Sequence, residues 1–130
     1  MISQERAGPA PRLRLRDAGY VTAETAMVLP VLAGLLAVAL WAIAVAAAQV
    51  KCVDAARDAA RALARGETAA TASAVAIDAA PPGSTIELSH SGDRVVVIVR
   101  ATVGKGLGPL SAIAAPTVTA TAIAESEGDS

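Results

Sequence analysis

The chain is poor in aromatic residues and has a single cysteine. It contains no Phe, one Trp and one Tyr, although 54% of its residues are hydrophobic, so small aliphatic side chains carry most of the apolar mass. Cys52 has no second cysteine for an intramolecular disulfide, and together with His90, the only histidine, it cannot build a metal site or a Cys/His catalytic pair. The sequence also has neither a Gly-rich phosphate loop nor a Ser/His/Asp set. We therefore expect no enzymatic activity, no cofactor and no bound metal.

The charge balance argues against nucleic acid as a partner. The formal net charge is −1, whereas a nucleic-acid-binding domain usually has a basic excess. The charges are unevenly distributed, with arginines crowded into the first sixteen residues and an acidic C-terminus formed by Glu125, Glu127 and Asp129. The sequence therefore predicts partners other than nucleic acid.

An uncharged stretch runs from Thr25 to Val50, between Glu24 and Lys51. Its central part, residues 26–48, is apolar throughout and shows no polar stripe of the kind that a surface helix of a soluble domain has. About twenty such residues cross the hydrocarbon core of a bilayer as a helix. The run is also longer than the apolar part of a cleaved secretory signal. The sequence therefore predicts a single-pass membrane protein.

The orientation in the membrane is not decided by the flanking charges. Each flank has four Lys or Arg residues, so the positive-inside rule favours neither direction. A short N-terminal tail before one strong apolar helix is compatible with a cytoplasmic N-terminus. We expect this orientation, with an extracytoplasmic C-terminal domain. The residues counted are Arg6, Arg12, Arg14 and Arg16 before the run, and Lys51, Arg57, Arg61 and Arg65 after it.

A second signal stands at the entrance to the apolar run. The basic segment 1–19 ends at Gly19, Tyr20 follows, and Glu24 lies five residues after the glycine. Glycine allows an extended backbone in a protease cleft, and arginines hold a leader at the anionic cytoplasmic leaflet. A carboxylate at the edge of a membrane helix is costly unless it is paired. The alternative for Glu24 is that it only stabilises the helix N-terminus, through the macrodipole, in the headgroup zone.

The helix is predicted to bend and to continue beyond the membrane. Pro30 cannot donate to the carbonyl of Ala26, so a kink is expected there, either as an ordinary bend or as one that lets helices pack in a bundle. The Ala-rich segment Gln49–Arg65 extends the helix, and Gly66 is a plausible stop. An arginine row on this extension is either a solvated face or a surface for anionic lipid or a carboxylate of another subunit: Arg57, Arg61 and Arg65.

The C-terminal part changes from helical to strand-like patterns. Glu67–Ala80 is a second Ala-rich helical stretch, and Pro81-Pro82-Gly83 is a strong turn signal. Three strand patterns follow, the first two joined by a hairpin loop at Ser91-Gly92-Asp93. We predict an α+β fold in which a long N-terminal transmembrane helix extends outside the membrane, followed by a second helix and a small antiparallel sheet of about three strands. The predicted strands are Ser84–His90, Arg94–Val103 and Thr117–Ala124.

Taken together, these patterns resemble the TadE-like family of minor pilins or pseudopilins, in the tight-adherence (Flp) branch of type IV pilus systems. The resemblance rests on Gly19, the Val-Thr-Ala-Glu-Thr-Ala stretch at 21–26, Pro30, the Ala/Arg-rich segment 52–61, and the final strand with its Thr-Ala-Thr-Ala repeat. The chain is longer than a major Flp pilin and has no aromatic residue just after Glu24, where major Flp pilins tend to have one. Both differences favour the minor class.

The resemblance implies a function as well as a fold. A membrane prepilin peptidase would cut between Gly19 and Tyr20, leaving a mature chain of a helical part, 20–66, and a small extracytoplasmic domain, 67–130. Glu24, then the fifth residue, would pair with the free N-terminal amine of a neighbouring subunit. The implied location is the bacterial inner membrane, and the implied partners are membrane lipid, other pilin or pseudopilin subunits and the Tad assembly platform. The alternative is an unprocessed single-pass membrane protein whose outer domain binds an envelope partner.

Overall fold

The fold has one long helix, one short helix and a three-stranded antiparallel sheet, which confirms the predicted α+β class. A computed structural model describes residues 8, 13–105, 108–110 and 115–125. Two compact units are formed, Met1–Ala39 and Leu40–Ser130, and α1 contributes residues to both. The elements in chain order are α1 Leu13–Ala64, α2 Ala69–Ala79, β1 Thr85–Ser91, β2 Arg94–Thr102, a 3-10 turn Gly108–Leu110, and β3 Thr117–Glu125.

Helix α1 is 52 residues long and starts within the segment predicted to be a leader, at Leu13. Its part Ala18–Ala64 is long and apolar enough to cross a membrane: the mean hydropathy reaches 2.6 over its most apolar window, and no residue of that window is buried. This is the single candidate membrane span among the described residues. The helix stays α-helical through Pro30, and the predicted kink there stays a prediction.

The end of α1 confirms Gly66 as the stop. Gly66 has φ +81°, a conformation that side chains with a Cβ rarely adopt. Its amide donates to the carbonyl of Leu63 at 2.9 Å, and the amide of Glu67 donates to the carbonyl of Ala62 at 3.1 Å. These two bonds are the pair that defines a Schellman cap, which satisfies carbonyls left open at a helix C-terminus.

Helix α2 starts two residues later than predicted because Thr68 caps it. The Thr68 side chain accepts a hydrogen bond from the Thr71 amide at 3.2 Å, so Glu67 stays outside the helix. The predicted turn after the helix is present. The Ser84 amide donates to the Pro81 carbonyl at 3.2 Å, and Gly83 has φ +76°, as a type II turn requires.

The sheet has the order β1-β2-β3, with both neighbouring pairs antiparallel. The hairpin loop has two residues, Gly92 and Asp93, rather than the predicted three, because Ser91 belongs to β1 and lies opposite Arg94. Gly92 has φ +62°, and no residue other than glycine has a positive φ among those described. A positive φ at the first loop residue alone is the pattern of a type II′ turn, whose twist suits a tight hairpin.

One face of the sheet is covered by helices. Val97 and Val99 on β2 are fully buried, and the register places Ile86, Leu88 and Ala120 on the same face. This face packs against small residues of both α2 and the C-terminal part of α1. The buried helical residues are Ala48, Cys52, Ala55, Ala56, Ala59, Ala60 and Ala62 of α1, and Ala72 and Ala76 of α2.

Helix α1 also reaches one edge of the sheet. Gln49 Nε2 donates to the carbonyl of Thr119, 3.2 Å away on β3. The Val103 amide donates to the carbonyl of Pro116 at 3.0 Å, so this carbonyl points toward β2. In an antiparallel pair, successive carbonyls of a strand point alternately toward and away from the neighbouring strand. The Thr119 carbonyl, three residues further along, therefore points away from β2, toward the open side of β3. Gln49 thus satisfies an edge acceptor that the ladder leaves unpaired.

Candidate processing and assembly site at the start of the long helix

Gly19 and Tyr20 lie inside α1. Contacts with neighbouring residues do not explain why position 19 is a glycine. A Cβ built on Gly19 meets no atom within 4 Å, and Tyr20 is 81% exposed. Glycine in a helix interior is less favourable than alanine by roughly 0.5–1 kcal/mol. No neighbour among the described residues therefore requires a glycine at this position.

Glu24 lies one helical turn after Tyr20, on the same face of α1. Tyr20, Ala23, Glu24 and Met27 follow the i, i+3, i+4, i+7 spacing and line one shallow hollow. Met27 is 77% exposed, so the carboxylate stands between two exposed large side chains. Glu24 takes part in none of the ion pairs between described residues, and it is the only charged residue from Ala18 to Val50.

Two threonines near Glu24 were missed by the sequence reasoning. Thr22 Oγ1 donates to the carbonyl of Ala18 at 2.8 Å, and Thr25 Oγ1 donates to the carbonyl of Val21 at 2.8 Å. A threonine within a helix satisfies its hydroxyl by bonding to the carbonyl four residues earlier. A threonine in an otherwise apolar helix is the signal that would have revealed these bonds.

The arginine row on the extension of α1 is partly neutralised within the chain. Arg61 pairs with Asp58, and Arg65 pairs with Glu67 at 2.6 Å. Arg57 takes part in none of the ion pairs between described residues, although Asp54 lies three residues before it. All three arginines are exposed, so each pair makes a weak contribution in water. The row is mixed in charge rather than a concentrated basic patch.

The second unit has a hollow at the end of the sheet near the hairpin loop. Leu63, Glu67, His90 and Val95 are among the residues that line it. His90 is exposed, and the residues described as lining the hollow include no Ser, Thr or Cys. Within the described part of the chain, no group of three or more His, Cys, Asp or Glu side chains is placed to hold a metal ion.

The fold and the site together define a class of protein. It has one helix that is long and apolar enough to cross a membrane, with a carboxylate near its start, and a small unit in which two helices cover one face of a three-stranded sheet. Comparison of the chain with known protein families, with curated proteins and with solved structures finds no match.

Proposed function

We propose that this chain is a minor pilin-like, TadE-like membrane subunit that seeds, caps or helps to assemble a Tad/Flp-type pilus or a related secretion filament. It is anchored in the bacterial inner membrane by α1, with the N-terminus in the cytoplasm and the α+β unit outside. A prepilin peptidase removes residues 1–19. The mature chain then acts by packing its helix against other pilin or pseudopilin subunits and by contacts with the assembly platform, and it catalyses no reaction.

The observation that carries this proposal is an exposed apolar helix with one carboxylate near its start. From Tyr20 to Ile43 the large apolar side chains are exposed, including Val31 at 70% and Leu35 at 67%. Such a surface needs lipid or other helices around it, because burying apolar area yields roughly 25 cal/mol per Å². A lone carboxylate within it is unfavourable unless a partner neutralises it.

The spacing between Tyr20 and Glu24 fits a partner from another subunit. Four residues of α-helix separate their levels along the axis by about 6 Å. After cleavage, the new amine of Tyr20 and the carboxylate of Glu24 are opposite charges on one helix face. A neighbouring helix shifted by about one turn would bring its amine to the level of Glu24. The pair would hold the two subunits in register.

Processing is the first step to test. The full chain is co-expressed with a membrane prepilin peptidase, and the purified protein is analysed by N-terminal sequencing. We expect a chain that begins at Tyr20, and we expect Gly19→Val to block the cut because a β-branched side chain restricts the backbone. Gly34→Val is the matched control, since Gly34 lies in the same helix and also has open space around it. A mature protein that begins at Met1 in piliated cells would favour the unprocessed single-pass alternative.

The assembly role of Glu24 is tested by Glu24→Gln. If Glu24 pairs with a buried amine, its loss leaves one charge without a partner, at a cost of roughly 3–5 kcal/mol. A role limited to the helix macrodipole is worth about 0.3–1 kcal/mol. We expect the variant to be inserted and cleaved normally, yet to fail in crosslinking to partner pilins and in supporting piliation. Glu87→Gln, at an exposed position on β1, is the control for loss of a carboxylate. Normal crosslinking and pilus number in Glu24→Gln would rule out the assembly role.

A further inference from the structure

The start of β3 lies beside the part of α1 where the uncharged stretch ends. Gln49 of α1 donates a hydrogen bond to Thr119, near the start of β3. Leu63, further along α1, lines the same hollow as Ala124, near the end of β3. Strand β3 and this part of α1 therefore run in the same direction. The end of β2, which pairs with the start of β3, lies at this end of the sheet as well, and the hairpin loop lies at the opposite end.

The strand ends reach further toward the apolar part of α1 than this hydrogen bond does. Pro116, which bonds to Val103, precedes Thr119 by three residues, and three residues of strand span about 10 Å. A similar advance along an α-helix takes about five to seven residues, depending on the angle between strand and helix. The strand ends therefore lie near the level of residues 42–44 of α1. Val45 and Val103 pack against the same buried cluster, which agrees with this level.

The same level of α1 has the features of a bilayer boundary. Trp41, the only tryptophan, is 38% exposed, and tryptophan is enriched where the hydrocarbon core meets the headgroups. About twenty apolar residues after Glu24 are enough to cross that core, so the crossing would end near residue 44. The uncharged stretch is longer than this, but Val45 and Ala48 pack within the second unit and need no lipid around them. The hydrocarbon boundary and the strand ends therefore fall at the same level.

Lys105 is placed to meet lipid headgroups at this boundary. It follows the end of β2 by three residues, is exposed, and is the only charged residue between Arg100 and Glu125. It takes part in none of the ion pairs between described residues. Asp78, near the end of α2, is an acidic residue on this side, but α2 contacts the sheet mainly through β1, at the edge away from β3. The ammonium group of Lys105 is therefore available to an anionic surface.

We propose that residues 103–105 rest on the headgroups of the bilayer that α1 crosses, with the Lys105 ammonium bound to the phosphate of an anionic lipid. This inference rests on the membrane anchoring in the proposed function. One basic residue at an anionic membrane surface shifts the equilibrium toward contact by about fivefold. The contact fixes the distance of the sheet from the bilayer and directs its hairpin end away from the membrane.

The test measures how close each end of the sheet lies to the headgroups. The full chain is reconstituted in vesicles of phosphatidylglycerol and phosphatidylcholine, with some phosphatidylcholine carrying a headgroup nitroxide that quenches fluorophores at short range. A fluorophore is attached to Thr117→Cys, at the start of β3. Ser91→Cys is the matched control, because both positions are exposed on the uncovered face of the sheet, at opposite ends. Cys52 is fully buried and should stay unlabelled. We expect strong quenching at position 117 and little at position 91.

The role of Lys105 is tested in the same vesicles. Lys105→Gln should lower the ratio of quenched to unquenched fluorophore at position 117 by about fivefold, the effect of one basic residue, and Lys105→Arg should keep the wild-type ratio. Vesicles of phosphatidylcholine alone should give a similar reduction for the wild-type lysine, because they lack anionic lipid. Equal quenching at positions 117 and 91, or an unchanged ratio in Lys105→Gln, would overturn the inference.

Trp41 separates this inference from the proposal on which it rests. As the only tryptophan, it reports its own contact with lipid, and a nitroxide near the headgroup end of an acyl chain should quench its fluorescence. If Trp41 is not quenched, the membrane anchoring by α1 is itself wrong. If Trp41 is quenched and the fluorophore at position 117 is not, the anchoring holds and only the docking of the sheet on the bilayer is overturned.

Discussion

Replacing Val97 by alanine should destabilise the second unit far more than the same change at the adjacent Val96. Val97 is fully buried, on the sheet face that packs against the helices. Val96 is only partly buried, on the opposite face, between Ser89 of β1 and Ile123 of β3, and Ile123 is 61% exposed. The two positions differ in burial while sharing the strand, the side chain and the chemical change.

The expected size of the difference follows from that burial. Val97→Ala removes two buried methyl groups, worth roughly 0.8 kcal/mol each in transfer free energy. The cavity left in an interior that relaxes only partially raises the cost to about 2–3 kcal/mol. Val96→Ala loses the same strand propensity but less buried area, so about 1 kcal/mol or less is expected. A small domain is stable by about 5 kcal/mol, so the larger effect should be easy to measure.

The assay is urea unfolding of the full chain in detergent micelles, followed by pulse proteolysis, which cuts only the unfolded fraction. The free energy of unfolding should fall for Val97→Ala by about 1–2 kcal/mol more than for Val96→Ala. Equal effects, or a larger one at Val96, would contradict the assignment of the helix-covered face. The sheet would then be covered on the other side, or on both sides.

Two further predictions concern the cap of α1 and the membrane topology. Gly66→Ala should lower the free energy of unfolding by about 1 kcal/mol or more, because the φ of +81° at Gly66 disfavours a Cβ. Gly34→Ala, in the interior of α1, is the control and should not lower it. Equal urea midpoints for the two variants would contradict the Schellman cap. Cys52 is fully buried, so a membrane-impermeant maleimide should label it only after unfolding, whereas Ser89→Cys, exposed on β1, should be labelled on intact spheroplasts. Labelling of Ser89→Cys only after lysis would reverse the proposed orientation.

The elements whose signals are local were predicted well. Gly66 and the Pro82-Gly83 turn need backbone conformations that few other residues adopt, so their residue types indicate them directly. Alternation in β1 and the β-branched run in β2 identify strands in the same way. The boundary errors were of one or two residues. At Glu67 and Ser91 a threonine cap and a hairpin register decided the boundary. In addition, β1 begins one residue later than predicted, α2 and β2 each end one residue earlier, and β3 ends one residue later.

Only part of the candidate site could be predicted from the sequence. The spacing of Gly19 and Glu24 could be recognised from the sequence. The pairing of Glu24 with the amine of a neighbouring subunit stays a prediction. The hydrogen bond from the Thr22 hydroxyl to the Ala18 carbonyl was not predicted, although the two residues lie four positions apart in a helix. Side-chain geometry pairs Arg61 with Asp58 and Arg65 with Glu67, while Arg57 lies outside the ion pairs of the described residues.

The sequence by itself determined a helix long and apolar enough to span a bilayer, because length and hydropathy are properties of a continuous segment. It also determined which segments become strands and where they turn. Only the tertiary structure decided which face of the Ala-rich helix is buried, since alanine lies on nearly every side of it and its periodicity marks no single stripe. The bond from Gln49 to the Thr119 carbonyl joins residues 70 positions apart. Such contacts depend on how the helix docks on the sheet, which no local pattern specifies.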